Sequence, residues 1–341
     1  MRDSGYIVLY LFLIFTAPVL AQRNDLTPLF QDEKPLDIQI AYSFKEISRN
    51  TIDSVYFPST LKYKNGARWD SLEVEVRGRG NFRRKNCDFT PLRVKLKKSN
   101  VKGTLFQGNR ALKLVLQCQA AKHFGDLILK EYLCYQLYEC VTPYTFNTRL
   151  LDITIEDIGG KKSKTYQVKG FFIEDDNLVA KRFHANVFDS VALHPLQLQD
   201  TNSIRHDFFE YMIANTDWST TYQHNAKVIK AGSKKFIPVA YDFDMSGFVN
   251  APYATVSPDL EITSVQERLY RGFCRNVNVM QFVRQEFIGE KPAILATLDR
   301  HQSYFEPKEF TAMKKYILKF YDVLEEDKKF QDNILRSCRT K

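Results

Sequence analysis

The sequence predicts an α+β protein in two parts: a mostly antiparallel, β-rich half with one inserted helix, then a mainly helical half that carries a β-hairpin. Three observations lead there. Up to about residue 174, apolar and polar residues alternate in short runs separated by turn residues. One stretch in that half, His123–Val141, has helical spacing instead. Beyond Leu178 helical spacing dominates, interrupted by two short apolar runs around the basic turn Gly232–Lys235. The expected boundaries are 37–177 for the β-rich part and 178–341 for the helical part.

Composition sets the outer limits. The 341 residues are 44% hydrophobic and 13% aromatic, which describes a folded globule rather than a disordered chain. The net charge of +9 permits a polyanionic partner without demanding one. Residues 1–21 read as a signal peptide: Ile7–Ala21 is too short for a membrane span, and Val19 and Ala21 are small residues before a cleavage point. No later run is long and apolar enough to span a bilayer. The expected mature chain is therefore exported, without a transmembrane anchor, to the periplasm, the cell surface or the medium. Residues 22–36 are polar and Pro-bearing, an N-terminal leader.

None of the six cysteines forms a Cys-x-x-Cys pair, which speaks against a zinc knuckle. Cys87 and Cys118 flank two predicted strands and are the expected disulfide. Cys134 and Cys140 share one predicted helix, six residues apart, and cannot face each other well.

In chain order, residues 37–48 suggest a strand. Asn65-Gly66 is a hairpin turn between alternating runs. Leu72, Val74 and Val76 alternate with Glu73 and Glu75, a half-buried strand ending in Arg77-Gly78-Arg79-Gly80-Asn81. Leu92–Leu96 and Ala111–Leu116 follow as strands, the second with Lys113 inside it. In the predicted helix, Leu127, Ile128, Cys134, Tyr135 and Tyr138 can share a face, and Glu131 falls on it. Arg149–Asp157 and Tyr166–Glu174 pair around a Gly/Lys-rich turn. Glu174-Asp175-Asp176-Asn177 is a candidate linker. Phe310–Phe330 reads as an amphipathic surface helix.

The chemistry-bearing stretch is Tyr211–Tyr253. Asp217 sits where a helix runs out. His224 and Asn225 precede an apolar run, and Asp242 and Asp244 follow another. Three carboxylates and an amide at the ends of neighbouring elements suit metal-assisted phosphoryl transfer, with one Asp on a hydroxyl and an Asn and an Asp on Mg²⁺. Asn-Thr-Asp is also ordinary loop chemistry, and His224 reads as a supporting hydrogen-bonding group.

The segments VEVRGRGN, LRVKLKK, LKLVL, NTDWS…HN and IPVAYDFD, in this order, resemble the spore coat protein H (CotH) kinase family, across about residues 70–250. The resemblance implies a two-lobed, protein-kinase-like fold and an ATP-dependent kinase acting on protein hydroxyls. Asp217 would be the catalytic carboxylate. Asn225 and Asp242 would hold Mg²⁺ or Mn²⁺, with Asp244 a second metal ligand. Lys113 would reach the phosphates and pair with Glu131, and Arg77 and Arg79 would stand in the nucleotide-binding loop. The chain departs from ordinary kinases in having Asn225 eight residues after Asp217 and no Gly-x-Gly-x-x-Gly loop. The phosphate-contacting cation stays open among Lys113, Lys95 and Arg79.

Two other readings stand beside the kinase. ATP is scarce outside the cytoplasm, so an exported chain could be a non-catalytic binding or surface-assembly protein. Arg77–Lys102 also holds ten Lys or Arg against one acid, Asp88, which would suit a polyanion. The partners expected are a nucleotide and a protein acceptor, with a polyanion as the alternative.

Overall fold

The computed structural model of the protein describes residues 26–50, 52–190 and 193–340. The predicted signal peptide and the first leader residues lie outside the described residues. Among those described, the first half is built on seven strands: β1 (Leu36–Tyr42), β2 (Phe57–Asn65), β3 (Arg68–Gly78), β4 (Leu92–Leu96), β5 (Ala111–Leu116), β6 (Thr148–Asp157) and β7 (Lys164–Ile173). Four helices intervene: α1 (Phe44–Arg49), α2 (Phe82–Asn86), α3 (Lys98–Val101) and α4 (Lys122–Glu139).

The strands close into a barrel in the order β1-β2-β3-β4-β5-β7-β6. Closure is made by β1, which pairs antiparallel with β2 and parallel with β6, from Leu36↔Leu151 to Tyr42↔Asp157. The two-lobed, protein-kinase-like fold with an open N-terminal sheet is therefore not what the chain builds. The reason is physical: an open sheet would leave β1 and β6 as unpaired edges, and closure removes both. Alternation fills the interior, with Ile38, Ile40, Leu61, Val74, Val76, Val94, Leu114 and Ile153 all buried. Residues 27–30, read as leader, also belong to this core: Leu29 and Phe30 are buried, and Arg149 donates to the carbonyls of Leu29 and Asp32.

The second half carries α5 (Asp176–Arg182), β8 (Asn186–Val187), α6 (Asp200–Met212), β9 (Ala226–Ala231), β10 (Lys235–Ala240), α7 (Val277–Arg300), α8 (Pro307–Glu325) and α9 (Asp327–Phe330). The strands form a small sheet ordered β10-β9-β8. Pro238 is tolerated in β10 because that strand lies at the end of this order. A second core joins α4 of the first half to α6, α7, α8 and the hairpin, through Leu133, Tyr138, Phe209, Val239, Phe287 and Phe320. α4 thus serves both halves: β7 packs on one side and α7 on the other. α8 buries Phe310, Met313, Ile317, Phe320 and Leu324, the apolar face of the predicted amphipathic helix.

Two disulfides join described cysteines. Cys87–Cys118 is the expected pair and ties the residue after α2 to the end of β5. Cys274–Cys338 fastens the chain's last turn to the loop before α7. Cys134 and Cys140 remain free thiols.

Gly170 reports on the barrel's tightness. It lies in β7 between Leu116 of β5 and Leu151 of β6. A Cβ there would come within 2.5 Å of the Val115 carbonyl and 2.6 Å of Ile153 Cδ1. Gly170→Ala should therefore lower the unfolding free energy by about 1–3 kcal/mol, read as a shift of the urea midpoint. An unshifted midpoint would show that the barrel relaxes around the methyl group.

Candidate functional site

The site is assembled where the β9–β10 hairpin meets the outer face of the barrel. α6 ends at Met212, and the chain turns through Ala214, which has a left-handed φ of 50°. Asn215 then fixes the loop. Its Oδ1 accepts the Asp217 amide at 3.0 Å, and its carbonyl accepts the Trp218 indole at 3.2 Å. Arg271 donates from below to the carbonyls of Thr216 and Trp218. Ser219 and His224 exchange both backbone hydrogen bonds, closing a small loop that returns His224 and Asn225 to Asp217.

Asp217 is thereby held from two sides. His224 Nε2 lies 3.0 Å from one carboxylate oxygen, and Asn225 Nδ2 donates to the other at 3.0 Å. The same amide donates to the Asp217 carbonyl at 2.7 Å, and Asn225 Oδ1 accepts no hydrogen bond among the described residues. Asp217 nonetheless keeps a solvent-facing edge, its side chain 39% exposed. The hydrogen bond to Asp217 raises the His224 pKa above its ordinary value, against a smaller opposing effect of burial, and the charges of Asp217 and Asp242 add to the rise.

Asp242 follows β10 directly. Ala240 pairs with Ala226, and the Tyr241 amide donates to the Asn225 carbonyl at 3.3 Å, so Asp242 and Asn225 stand side by side at the hairpin's end. Both adopt left-handed backbone angles, φ 67° and 47°, a conformation that Asp and Asn tolerate better than most residues. The Asp242 amide donates to the Tyr135 hydroxyl of α4. Its carboxylate has no hydrogen-bond or ion-pair partner among the described residues. A carboxylate and an amide oxygen borne by neighbouring backbone positions are hard-oxygen donors, of the kind that suits Mg²⁺ or Mn²⁺ bound largely through water and phosphate oxygens. No group of three or more His, Cys, Asp or Glu side chains among the described residues could hold a metal by itself.

The other predicted residues are sorted by their partners. The Lys113–Glu131 pair implied by the resemblance is not made. Lys113 is buried on the barrel's outer face, ion-paired to Asp176 at the start of α5, with the Phe146 ring 4.4 Å away. Burial brings its pKa down to about 8, opposed by Asp176. Glu131 instead pairs with Arg83 of α2, whose Nε also donates to Asp244 at 2.7 Å. Asp244 is further held by the Tyr253 hydroxyl. Arg77 is committed to Asp53 at 2.9 Å and to the Tyr56 hydroxyl at 3.1 Å. Arg79 is half-buried, and its side chain makes no hydrogen bond or ion pair among the described residues. Its charge acts on Lys113 and Tyr241. Of the three cations left open by the sequence, Lys95 pairs with Glu75 away from this cleft, so Arg79 and Lys113 are the ones facing the hairpin.

Two contributions were missed in the sequence. The segment read as a linker is a buried ion network: Glu174 pairs with Arg182, Asp175 with Arg93 and Asp176 with Lys113. Its acidity was the available signal, since Asp175 and Asp176 neutralise cations of β4 and β5 while Glu174 neutralises Arg182 of α5. Arg83 was lost within the basic run Arg77–Lys102, and no local pattern sets it apart from Arg84 or Lys85. A cavity of about 610 Å³ opens beside α1, lined by Ser43, Lys45, Arg49 and Gly159, and none of the predicted residues lines it.

No protein-family model matches the chain, and no curated protein matches its sequence.

The Asp217–His224 contact has a direct readout. A chemical-shift titration of the His224 ring should show a midpoint above the ordinary 6.5. Asp217→Asn should bring it down. A raised pKa means that the contact favours the folded state most at low pH, an advantage lost as pH rises through the His224 midpoint. A midpoint unmoved by Asp217→Asn would show that the contact is not formed in solution.

Proposed function

We propose that the protein transfers the γ-phosphoryl group of a nucleotide, ATP in the first instance, to a hydroxyl acceptor on a protein, with Mg²⁺ or Mn²⁺. One observation carries this reading. A half-exposed carboxylate, Asp217, is held by His224 and Asn225 at one side of the β9–β10 hairpin's end, Asp242, whose carboxylate has no partner among the described residues, follows β10 there, and Arg79 and Lys113 face the same hairpin. The resemblance of NTDWS…HN…YDFD to the CotH kinase family supports it on residues alone, because the closed barrel withdraws the support of fold analogy.

In this reading Asp217 takes the proton of the acceptor hydroxyl, and His224 and Asn225 hold its carboxylate in place. Asp242 and Asn225 hold the divalent cation, which neutralises phosphate charge when bound. Arg79 offers phosphate oxygens a planar guanidinium that has no hydrogen-bond or ion-pair partner among the described residues, and Lys113 adds a buried positive charge. Catalysis is then positioning and charge neutralisation rather than covalent chemistry. A second reading, nucleotide binding without transfer, is favoured by one contact: the ammonium of Lys113 is already held by Asp176.

Three measurements test the proposal. Asp242→Ala should abolish Mn²⁺-dependent nucleotide binding with the circular dichroism spectrum unchanged, and retained affinity would remove Asp242 from the site. Asp217→Asn should keep nucleotide binding and cut phosphoryl transfer by about 10²–10⁴-fold; equal transfer by both proteins would refute the general-base role, and no transfer by the wild type with intact nucleotide binding would favour the second reading. Nucleotide affinity should weaken as pH rises through about 8, where Lys113 loses its charge, and a flat profile from pH 7 to 9.5 would show that Lys113 does not meet the phosphates.

A further inference from the structure

One end of the barrel gathers cations and aliphatic side chains that the candidate site does not use. α1 links β1 to β2 at this end and is anchored by Ile47, which is buried in the barrel core. The β6–β7 turn presses on its start: a Cβ on Gly159 would come within 2.5 Å of Ser43 Oγ. Asp157 fixes the two together, since one of its carboxylate oxygens accepts the amides of both Phe44 and Gly159, each at 3.0 Å. The cavity of about 610 Å³ opens in this seam, between α1, Phe57 at the start of β2 and Ile158 of the turn. Lys45 and Arg49 line it, together with one acid, Glu46. Asn50, at its edge, shapes the rim. Its side-chain amide donates to the carbonyls of Ile52 and Val55, and its Oδ1 accepts the Ile52 amide.

Two kinds of side chain therefore meet around the opening. Ile52, Val55 and Ile158 stand in solvent, 59%, 38% and 53% exposed. Lys45, Arg49, Lys161, Lys162 and Lys164 are exposed too, and none has an ion-pair partner among the described residues. The same segments hold three acids, Glu46, Glu156 and Asp157, and Asp157 is committed to the two amides. On the barrel's side the outward cations Arg77, Arg93 and Lys113 are each paired with an acid. The unpaired cations thus collect where the aliphatics do. A soluble polyanion would meet the charge and leave the aliphatics in water. The surface of an anionic bilayer meets both, with headgroup charge above a shallow apolar layer.

We propose that this end of the barrel docks on an anionic bilayer, with a lipid phosphate seated in the cavity on Lys45 and Arg49 and with Ile52, Val55 and Ile158 entering the interfacial layer. Lys161, Lys162 and Lys164 add attraction to the charged surface. The inference does not rest on the phosphoryl-transfer reading. The two regions adjoin all the same: the Ile47 carbonyl lies 3.3 Å from where a Cβ on Gly78 would stand, and Arg79 is the next residue.

The test is co-sedimentation of the purified protein with two kinds of vesicle. One is phosphatidylcholine alone, and the other has three parts phosphatidylcholine to one part phosphatidylglycerol. Binding to the mixed vesicles, lost at high salt, and little binding to the neutral ones is the expected result. Equal binding to both, or to neither, would overturn the proposal. Ile52→Ser with Ile158→Ser keeps every charge and changes only exposed side chains. It should weaken binding to the mixed vesicles by about tenfold, with retention on heparin unchanged. Undiminished vesicle binding by this variant would assign the surface to a soluble polyanion and overturn the membrane role. Lys45→Gln with Arg49→Gln should reduce the preference for phosphatidylglycerol, with the thermal midpoint unmoved. An unreduced preference would remove the cavity from the lipid site.

Discussion

The seven-residue parallel pairing of β1 with β6 determines more of this structure than any other set of contacts. It joins residues more than a hundred positions apart and converts a meander of antiparallel strands into a barrel. This barrel has an inside that is mainly apolar and an outside that must find other uses. On β3, β4 and β5 the outward positions Arg77, Arg93 and Lys113 lie in register, a row of cations across three neighbouring strands. Like charges so placed repel. The structure answers with acids from elsewhere: Asp53 takes Arg77, Asp175 takes Arg93 and Asp176 takes Lys113. The start of α5 is docked to the barrel by this demand.

The same reasoning covers the cleft's other seam. Arg83, Glu131 and Asp244 form a buried ion cluster, and such clusters cost about as much in desolvation as they return in attraction. Their value lies in specificity of arrangement. A guanidinium with two carboxylates accepts few geometries, and this one ties α2, α4 and the loop after β10 at a single point. The disulfide Cys87–Cys118 restrains the residue after α2, so the arginine is presented from a fixed base. Asp242 and Asp217 therefore occupy places set by groups that do no chemistry: Tyr135 and Arg83 on one side, Asn215 and Arg271 on the other.

Most secondary elements were legible in the sequence. Alternation placed β3 and β4, short apolar runs bounded by turn residues placed β5, β6 and β7, Asn65-Gly66 placed the first hairpin, and periodicity placed α4 and α8. Barrel closure was not legible, because a parallel pairing across the whole first half leaves no mark on local alternation. Residues 44–49 illustrate a smaller failure: Ser43 caps a short helix through the Glu46 amide where an uninterrupted strand was expected. The Asp217 loop and the Asp242 turn were found because their carboxylates sit at element ends, a local property. The pairing of cations was not found. Lys113 and Arg83 both lie in basic sequence, and which one meets Glu131 depends on how the barrel is rotated against α4.

The Cys274–Cys338 disulfide has a consequence in time. It brings Arg339 back to the loop before α7, where its amide bonds the Gly272 carbonyl and its guanidinium lies 5.9 Å from the Trp218 ring. Arg271, the residue beneath the Asp217 loop, belongs to that same loop. The support for a residue near the middle of the chain is thus delivered by its far end. While the chain is being made, the barrel strands are all available once residue 173 has emerged and the hydrogen bonds of Arg271 to the Asp217 loop once residue 271 has, but the contacts of Arg339 with Gly272 and the Trp218 ring wait for residue 339. The outermost layer around the candidate site is therefore supplied by the segment synthesised last, which the Cys274–Cys338 bond fastens in place.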